Sequence, residues 1–132
     1  MQTRKWKLDT DYKYLVEWWK QYDFGTVPKE CLPPDGIVVL LDRPICAAGL
    51  YLCKGTKFGF MEWVVVDKKI GLKTAHNALN LCIGEIIQMA KDNNIKLLYT
   101  VTAQEALQKR YTKYHGMEIG EKSSMTFVKD LS

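Results

Sequence analysis

Histidine and cysteine are scarce in this chain, and neither is clustered. The two histidines, His76 and His115, stand far apart, and the four cysteines, Cys31, Cys46, Cys53 and Cys82, include no C-x-x-C pair. No zinc site is therefore expected. Cys46, Cys53 and Cys82 have apolar sequence neighbours and read as small buried hydrophobes of a reducing compartment. No apolar stretch approaches the roughly 18 residues that would span a bilayer. The opening segment MQTRKWKLDTDYKYLVEWWK mixes charges with aromatics and has no apolar leader core, so a cytoplasmic protein is expected. Long basic runs are missing too. The net charge is +4 from 19 basic and 15 acidic residues, and the densest cluster is Arg4-Lys5-Trp6-Lys7. Nucleic-acid binders concentrate Lys and Arg into a stripe, so nucleic-acid binding is a minor reading, and an anionic small ligand suits this charge equally well.

What is present suits one domain over 1–132. The 132 residues are 47% hydrophobic and 26% charged, with nine Gly and four Pro. A chain of this size buries its own core without disulfides or metal. There is no internal repeat and no low-complexity segment.

Trp6 and Leu8 alternate with Lys5 and Lys7, which predicts a short strand at about 4–8. Asp9, Thr10 and Asp11 are N-cap candidates for a helix carrying Leu15, Trp18, Trp19 and Tyr22 on one face and ending near Asp23. Gly25, Pro28, Pro33 and Pro34 make 24–35 a loop with at most one turn of helix. Three β-rich runs follow, Ile37–Leu41, Ile45–Cys53 and Phe58–Val66, joined by short turns as an antiparallel meander. Ala75, Ala78, Leu79, Cys82, Ile83, Ile86, Ile87 and Ala90 then mark a helix over about 73–92. Ile95–Val101 is a further strand, parallel to its predecessor through the helix between them. A helix over about 104–114 stops at Gly116, and Met117–Gly120 with Met125–Leu131 form a hairpin around Lys122-Ser123-Ser124. The expectation is a mixed α/β fold, β-α-β-β-β-α-β-α-β-β. Its sheet is mostly antiparallel with a central parallel pair, and helices cover both faces.

This order resembles the GCN5-related N-acetyltransferase (GNAT) fold over essentially the whole chain. Three segments carry the resemblance. Leu32-Pro33-Pro34-Asp35-Gly36, followed by Asp42 to Leu50, is similar to the "LP-x-x-G … PIAAG" run of small phage and prophage GNAT-like proteins. Val64-Val65-Val66-Asp67-Lys68-Lys69-Ile70-Gly71-Leu72-Lys73 occupies the place of the acetyl-CoA motif. Tyr111-Thr112-Lys113-Tyr114-His115-Gly116-Met117-Glu118 is similar to the family's "Y-x-K-x-G-F" ending.

The resemblance implies acetyl-CoA as co-substrate and an amine as acceptor. Physically, a helix start near Lys73 offers unpaired amides and a favourable dipole to a pyrophosphate, with Lys68, Lys69 and Lys73 adding charge. The family turn reads "R/Q-x-x-G-x-G/A". Here Lys69 stands for the Arg, Gly71 is the only glycine, and Thr74 or Ala75 takes the last small position. The lysines equally suit a solvated surface turn. Ile70 and Leu72 flank the turn. In GNATs, pantetheine pairs with the strand represented by Val64, Val65 and Val66, although a buried strand would look the same.

For the base, family members often carry a Glu on this strand. Glu62 is its only acid, and alternation puts it on one face with Val64 and Val66; a solvent-facing Glu is the plainer alternative. For the acid, the family uses a Tyr on the last helix, with a CoA-contacting residue near that helix's start. Gln104 and Tyr111 reproduce the usual seven-residue separation. Counted back from Gly116, however, Thr112 holds the expected place, so Tyr114 stays beside Tyr111 as a candidate. Trp18, Trp19 and Tyr22 read mainly as core, while Phe24, Pro28, Cys31 and Pro33 are placed to line an acceptor groove. No acidic cluster points to a polyamine or aminoglycoside. His115 reads as a helix-end cap. A catalytically inactive GNAT-fold scaffold, such as a phage protein acting on a host partner, is the alternative function. Edge strands leave a homodimer open.

Overall fold

The computed structural model describes residues 1–132. It contains two compact units, Met1–Val101 and Thr102–Ser132. The first holds a five-stranded sheet in the order β1 (Gln2–Lys5), β2 (Asp35–Leu40), β3 (Pro44–Leu52), β4 (Phe58–Val66) and β5 (Leu97–Tyr99). All neighbours are antiparallel except β4 and β5, which are parallel. Helix α1 spans Leu8–Gln21, α2 spans Leu72–Asp92, and a single 3-10 turn covers Lys29–Cys31.

β1 ends earlier than alternation predicts, because Trp6 leaves the strand to enter the core. Its amide donates to Gly36 O at 2.9 Å and its indole Nε1 to Pro33 O at 3.2 Å. The ring lies against Gly36 and Gly49. A Cβ at Gly36 would overlap the ring, and one at Gly49 would come within 2.6 Å of it, so both positions require glycine. Asp11 anchors the start of α1 by accepting Lys7 N–H at 2.7 Å and gripping Arg4 at 2.7 and 2.9 Å.

The helices cover opposite faces of the sheet. Leu15, Trp18 and Trp19 of α1 pack with Val38, Ala47 and Val65. The alternate residues of β2 and β3 face α2, where the buried Cys82 thiol meets Cys46 and approaches Ile37 O at 3.9 Å. Ala78, Ile83, Ile86 and Ala90 complete the buried stripe of α2.

The second unit contains α3 (Glu105–His115), which ends at Gly116 in the left-handed conformation, φ 63°. The expected hairpin over Met117–Gly120 and Met125–Leu131 does not form. Ile119, Met125, Phe127, Val128 and Leu131 are 63–94% exposed. An isolated hairpin is marginal in water, and Lys122-Ser123-Ser124 lacks the Gly or Asn that a tight β-turn favours. The parallel β4–β5 pair therefore lies at the edge of the sheet rather than at its centre. No helix is long and apolar enough to cross a membrane.

Candidate active site at the parting of two strands

β4 pairs with β3 along its length but with β5 only from Phe58 to Phe60. Past Tyr99 the ladder stops. Thr100 Oγ1 donates to Met61 O at 2.6 Å, and Val101 N–H donates to Glu62 Oε1 at 3.2 Å. From Trp63 to Val66, β4 has a strand partner on one side alone. The Val66 carbonyl accepts the Tyr22 hydroxyl at 2.9 Å.

A bulge sits at the same place. Gly49 pairs with Glu62 and Ala47 with Val65, so β4 carries one extra residue, and Trp63 takes a left-handed φ of 60°. The bulge overturns the expected alternation. Glu62 shares the face of Gly49 and Val65, whereas Val66 pairs with Cys46 and belongs to the other face. A single sequence carries no local mark of such a bulge, because Trp63 is an ordinary strand residue.

Glu62 is half-buried, and burial pushes its carboxyl up to about 7 against the pull of the Val101 amide. It is thus poised between acid and base at neutral pH, as a general base for an amine requires. Tyr51 stands close by. Its hydroxyl donates to Cys31 O at 2.7 Å and accepts Trp63 Nε1–H at 2.8 Å. Burial raises its pKa, and the Glu62 charge adds to the rise. Of the expected acceptor-loop residues, Phe24, Pro28 and Cys31 are exposed, while Pro33 is buried behind Trp6.

The open edge of β4 leads directly to the start of α2. Asp67 is buried there, and its carboxylate has three partners. Its Oδ1 accepts Gln21 Nε2–H and Lys69 N–H, both at 3.0 Å, and its Oδ2 meets Arg43 Nη1 at 2.9 Å. Its own amide donates to Ile45 O at 2.8 Å. Burial alone would raise the Asp67 carboxyl, but the Lys69 amide, Gln21 and Arg43 together hold it below the usual carboxylate range. Gln21 Oε1 also accepts Lys68 N–H at 2.7 Å, and the Lys68 ammonium lies 5.4 Å from the Tyr22 ring centre. Ile70 N–H reaches Asp67 O at 3.4 Å.

These bonds sort the expected phosphate-binding residues. The amides of Lys68 and Lys69 are engaged, whereas those of Gly71, Leu72, Lys73 and Thr74 have no acceptor. No side chain caps α2, and its first turn carries no acid. Leu72 is 91% exposed, and Lys68, Lys69 and Lys73 stand at the surface around this helix start. The arrangement suits an anion. Gly71 has φ −63° and open space around it, so its backbone needs no glycine.

Gln104, Tyr111 and Tyr114 belong to the second unit. Gln104 precedes α3; its backbone amide donates to Thr102 Oγ1 at 3.1 Å, and its carbonyl accepts Gln108 N–H at 3.0 Å. Tyr111 is buried, and its carbonyl takes the Gly116 and Met117 amides at the end of the helix. Tyr114 is 49% exposed beside Lys113. Sequence alone missed Gln21, Arg43 and Tyr51. Asp67 was not singled out either; the apolar run it ends is a local signal, but its partners lie on other elements and carry no motif.

No family profile and no curated protein matches the sequence. Solved structures do match. A putative acetyltransferase from Agrobacterium tumefaciens superposes with a TM-score of 0.71 at 13% identity, over 98% of this chain and 100% of that one. A Mycobacterium tuberculosis protein solved in complex with CoA gives 0.70 at 18% identity, over 96% of this chain and 76% of that one. Glucosamine-6-phosphate N-acetyltransferase from Arabidopsis thaliana gives 0.64 at 15% identity, over 99% and 98%. At these identities the likeness establishes the fold, which is that of the GCN5-related N-acetyltransferases.

Proposed function

We propose that this chain is an acetyl-CoA-dependent N-acetyltransferase acting on the amine of a small molecule or a protein. The observation that carries the proposal is the parting of β4 from β5 at a carboxyl that titrates near 7, with an open strand edge running on to an uncapped helix start. Bound acetyl-CoA supplies an activated acetyl thioester. The backbone of Val64, Val65 and Val66 offers an edge to which an extended amide chain adds like a strand. The amides from Gly71 to Thr74, with Lys68, Lys69 and Lys73, hold the anionic end, and Ile70 and Leu72 flank it. Gln104 contributes a polar contact from the start of α3.

Glu62 takes a proton from the acceptor ammonium. As the C–N bond forms and the C–S bond breaks, a tyrosine hydroxyl gives its proton to the departing sulfur, and the second proton, shed by the nitrogen as it becomes an amide, restores that hydroxyl. Tyr111 is preferred over Tyr114 for this role because a buried hydroxyl is shielded from water. Since Glu62 and Tyr111 belong to different units, the proposal requires the whole chain to act as one domain. Four unpaired thiols fit a reducing cytoplasm.

Titration calorimetry with acetyl-CoA, CoA and desulfo-CoA tests this reading. Micromolar affinity is expected, and no heat at millimolar ligand refutes it. The alternative, a scaffold that has lost the chemistry, draws on one observation: the Lys68 and Lys69 amides are already occupied within the chain. Lys69→Glu separates the two, since an enzyme loses cofactor affinity whereas a scaffold keeps its partner.

A further inference from the structure

We propose that Gln21 is a positioning residue for the phosphate-binding turn, acting with Asp67 and Arg43 in place of the glycines that the turn lacks. The proposal rests on the acetyltransferase reading above. Between Asp67 and Ile70 there is no glycine, and Gly71 itself has an ordinary φ of −63°. The shape of the turn therefore comes from side chains that grip its backbone.

Gln21, the last residue of α1, uses both ends of its amide. Nε2 donates to Asp67 Oδ1 at 3.0 Å and Oε1 accepts Lys68 N–H at 2.7 Å. Asp67 Oδ1 also takes Lys69 N–H at 3.0 Å, and Arg43 balances the carboxylate at 2.9 Å. The neighbouring Tyr22 hydroxyl ties Val66 O at 2.9 Å. Two consequences follow. The buried carboxylate faces its own guanidinium rather than an incoming anion. The Lys68 and Lys69 amides are withdrawn, so the amides from Gly71 to Thr74 alone remain to meet a phosphate. Gln21 acts through the turn and touches only the anionic end of the site, not the Val64–Val66 edge.

The test uses the full chain and the variants Gln21→Leu and Asp67→Asn. Affinity is measured for acetyl-CoA and for S-acetylpantetheine, which lacks the nucleotide phosphates, alongside amide exchange at Lys68 and Lys69. Gln21→Leu is expected to weaken acetyl-CoA binding about tenfold, leave S-acetylpantetheine within about twofold, and speed Lys68 exchange. Asp67→Asn keeps one acceptor oxygen but sets an NH2 against Arg43 and removes the charge that Arg43 balances. It is expected to weaken acetyl-CoA binding in the same direction as Gln21→Leu and to leave S-acetylpantetheine within about twofold; unchanged acetyl-CoA affinity counts against the proposal. Wild-type acetyl-CoA affinity in Gln21→Leu overturns the proposal, as does an equal loss for both ligands, which a general structural defect would produce. If the wild type itself fails to bind acetyl-CoA, the acetyltransferase reading falls and takes this proposal with it. Unchanged Lys68 exchange refutes the grip of Gln21 on the turn independently of any ligand.

Discussion

Glu62→Gln isolates the electrostatics of the strand parting while keeping its shape, because the amide oxygen can still accept Val101 N–H. In the folded chain the Glu62 carboxyl titrates at about 7, against 4.5 for the free side chain. The native state therefore binds this proton more tightly than the unfolded chain does. Its contribution to stability is full below about pH 4.5, falls as the pH rises, and is gone above about 7. A gap of roughly 2.5 units corresponds to at most about 3–4 kcal/mol at about 1.4 kcal/mol per unit. Partial exposure of the group reduces this to about 1–2 kcal/mol. Urea unfolding of both proteins at pH 5 and pH 8.5 measures it. The variant is expected to match the wild type at pH 5 and exceed it by about 1–2 kcal/mol at pH 8.5. With an acceptor in hand, kcat/KM falls about 10²–10⁴-fold and the acid limb near pH 7 disappears. Parallel stability profiles for the two proteins would refute the claim that burial raises the Glu62 carboxyl.

Gly36→Ala forces a methyl group into the Trp6 ring and is expected to cost about 1–3 kcal/mol in thermal or urea unfolding. Trp6→Leu in the same background should recover part of that loss. Arg43→Met removes the guanidinium that helps keep the Asp67 carboxyl low. A depressed carboxyl stabilises above its unfolded pKa, so the variant should be about 1 kcal/mol less stable at pH 7, with the gap closing as the pH falls below about 4. Tyr111→Phe should lower kcat about 10–100-fold in an acetyl-transfer assay, while Tyr114→Phe should stay within about twofold. Equal effects of the two tyrosine changes would contradict the assignment by burial.

Most of the first unit was legible in the sequence because its signals are local. The Ala75–Ala90 stripe sets α2 within a residue at its start, and the turns at Asp42-Arg43-Pro44 and Lys54-Gly55-Thr56-Lys57 set the meander. Trp6 misled the boundary of β1, since an apolar residue after alternating lysines looks like strand whether it stays in the ladder or turns into the core. The terminal hairpin failed for the opposite reason. Met125–Val128 has strand propensity, but a strand needs a ladder partner, and propensity says nothing about one.

Of the candidate site, only the local signals were legible. Glu62 stood out as the lone acid of its strand, and Lys68 to Thr74 as a charged helix start. The bulge at Trp63, which sets the face of Glu62, depends on register with β3 and is invisible locally. Gln21 and Arg43 reach Asp67 from distant parts of the chain. Contacts of that range leave no periodicity or spacing to read.

Backbone amide NMR during an acetyl-CoA titration tests the central claim most directly. Saturable shifts concentrated at Val64–Val66 and Gly71–Thr74, with Lys68 and Lys69 retaining slow exchange, are the predicted result. No shifts at millimolar acetyl-CoA, or shifts that bypass both the open β4 edge and the start of α2, would contradict it.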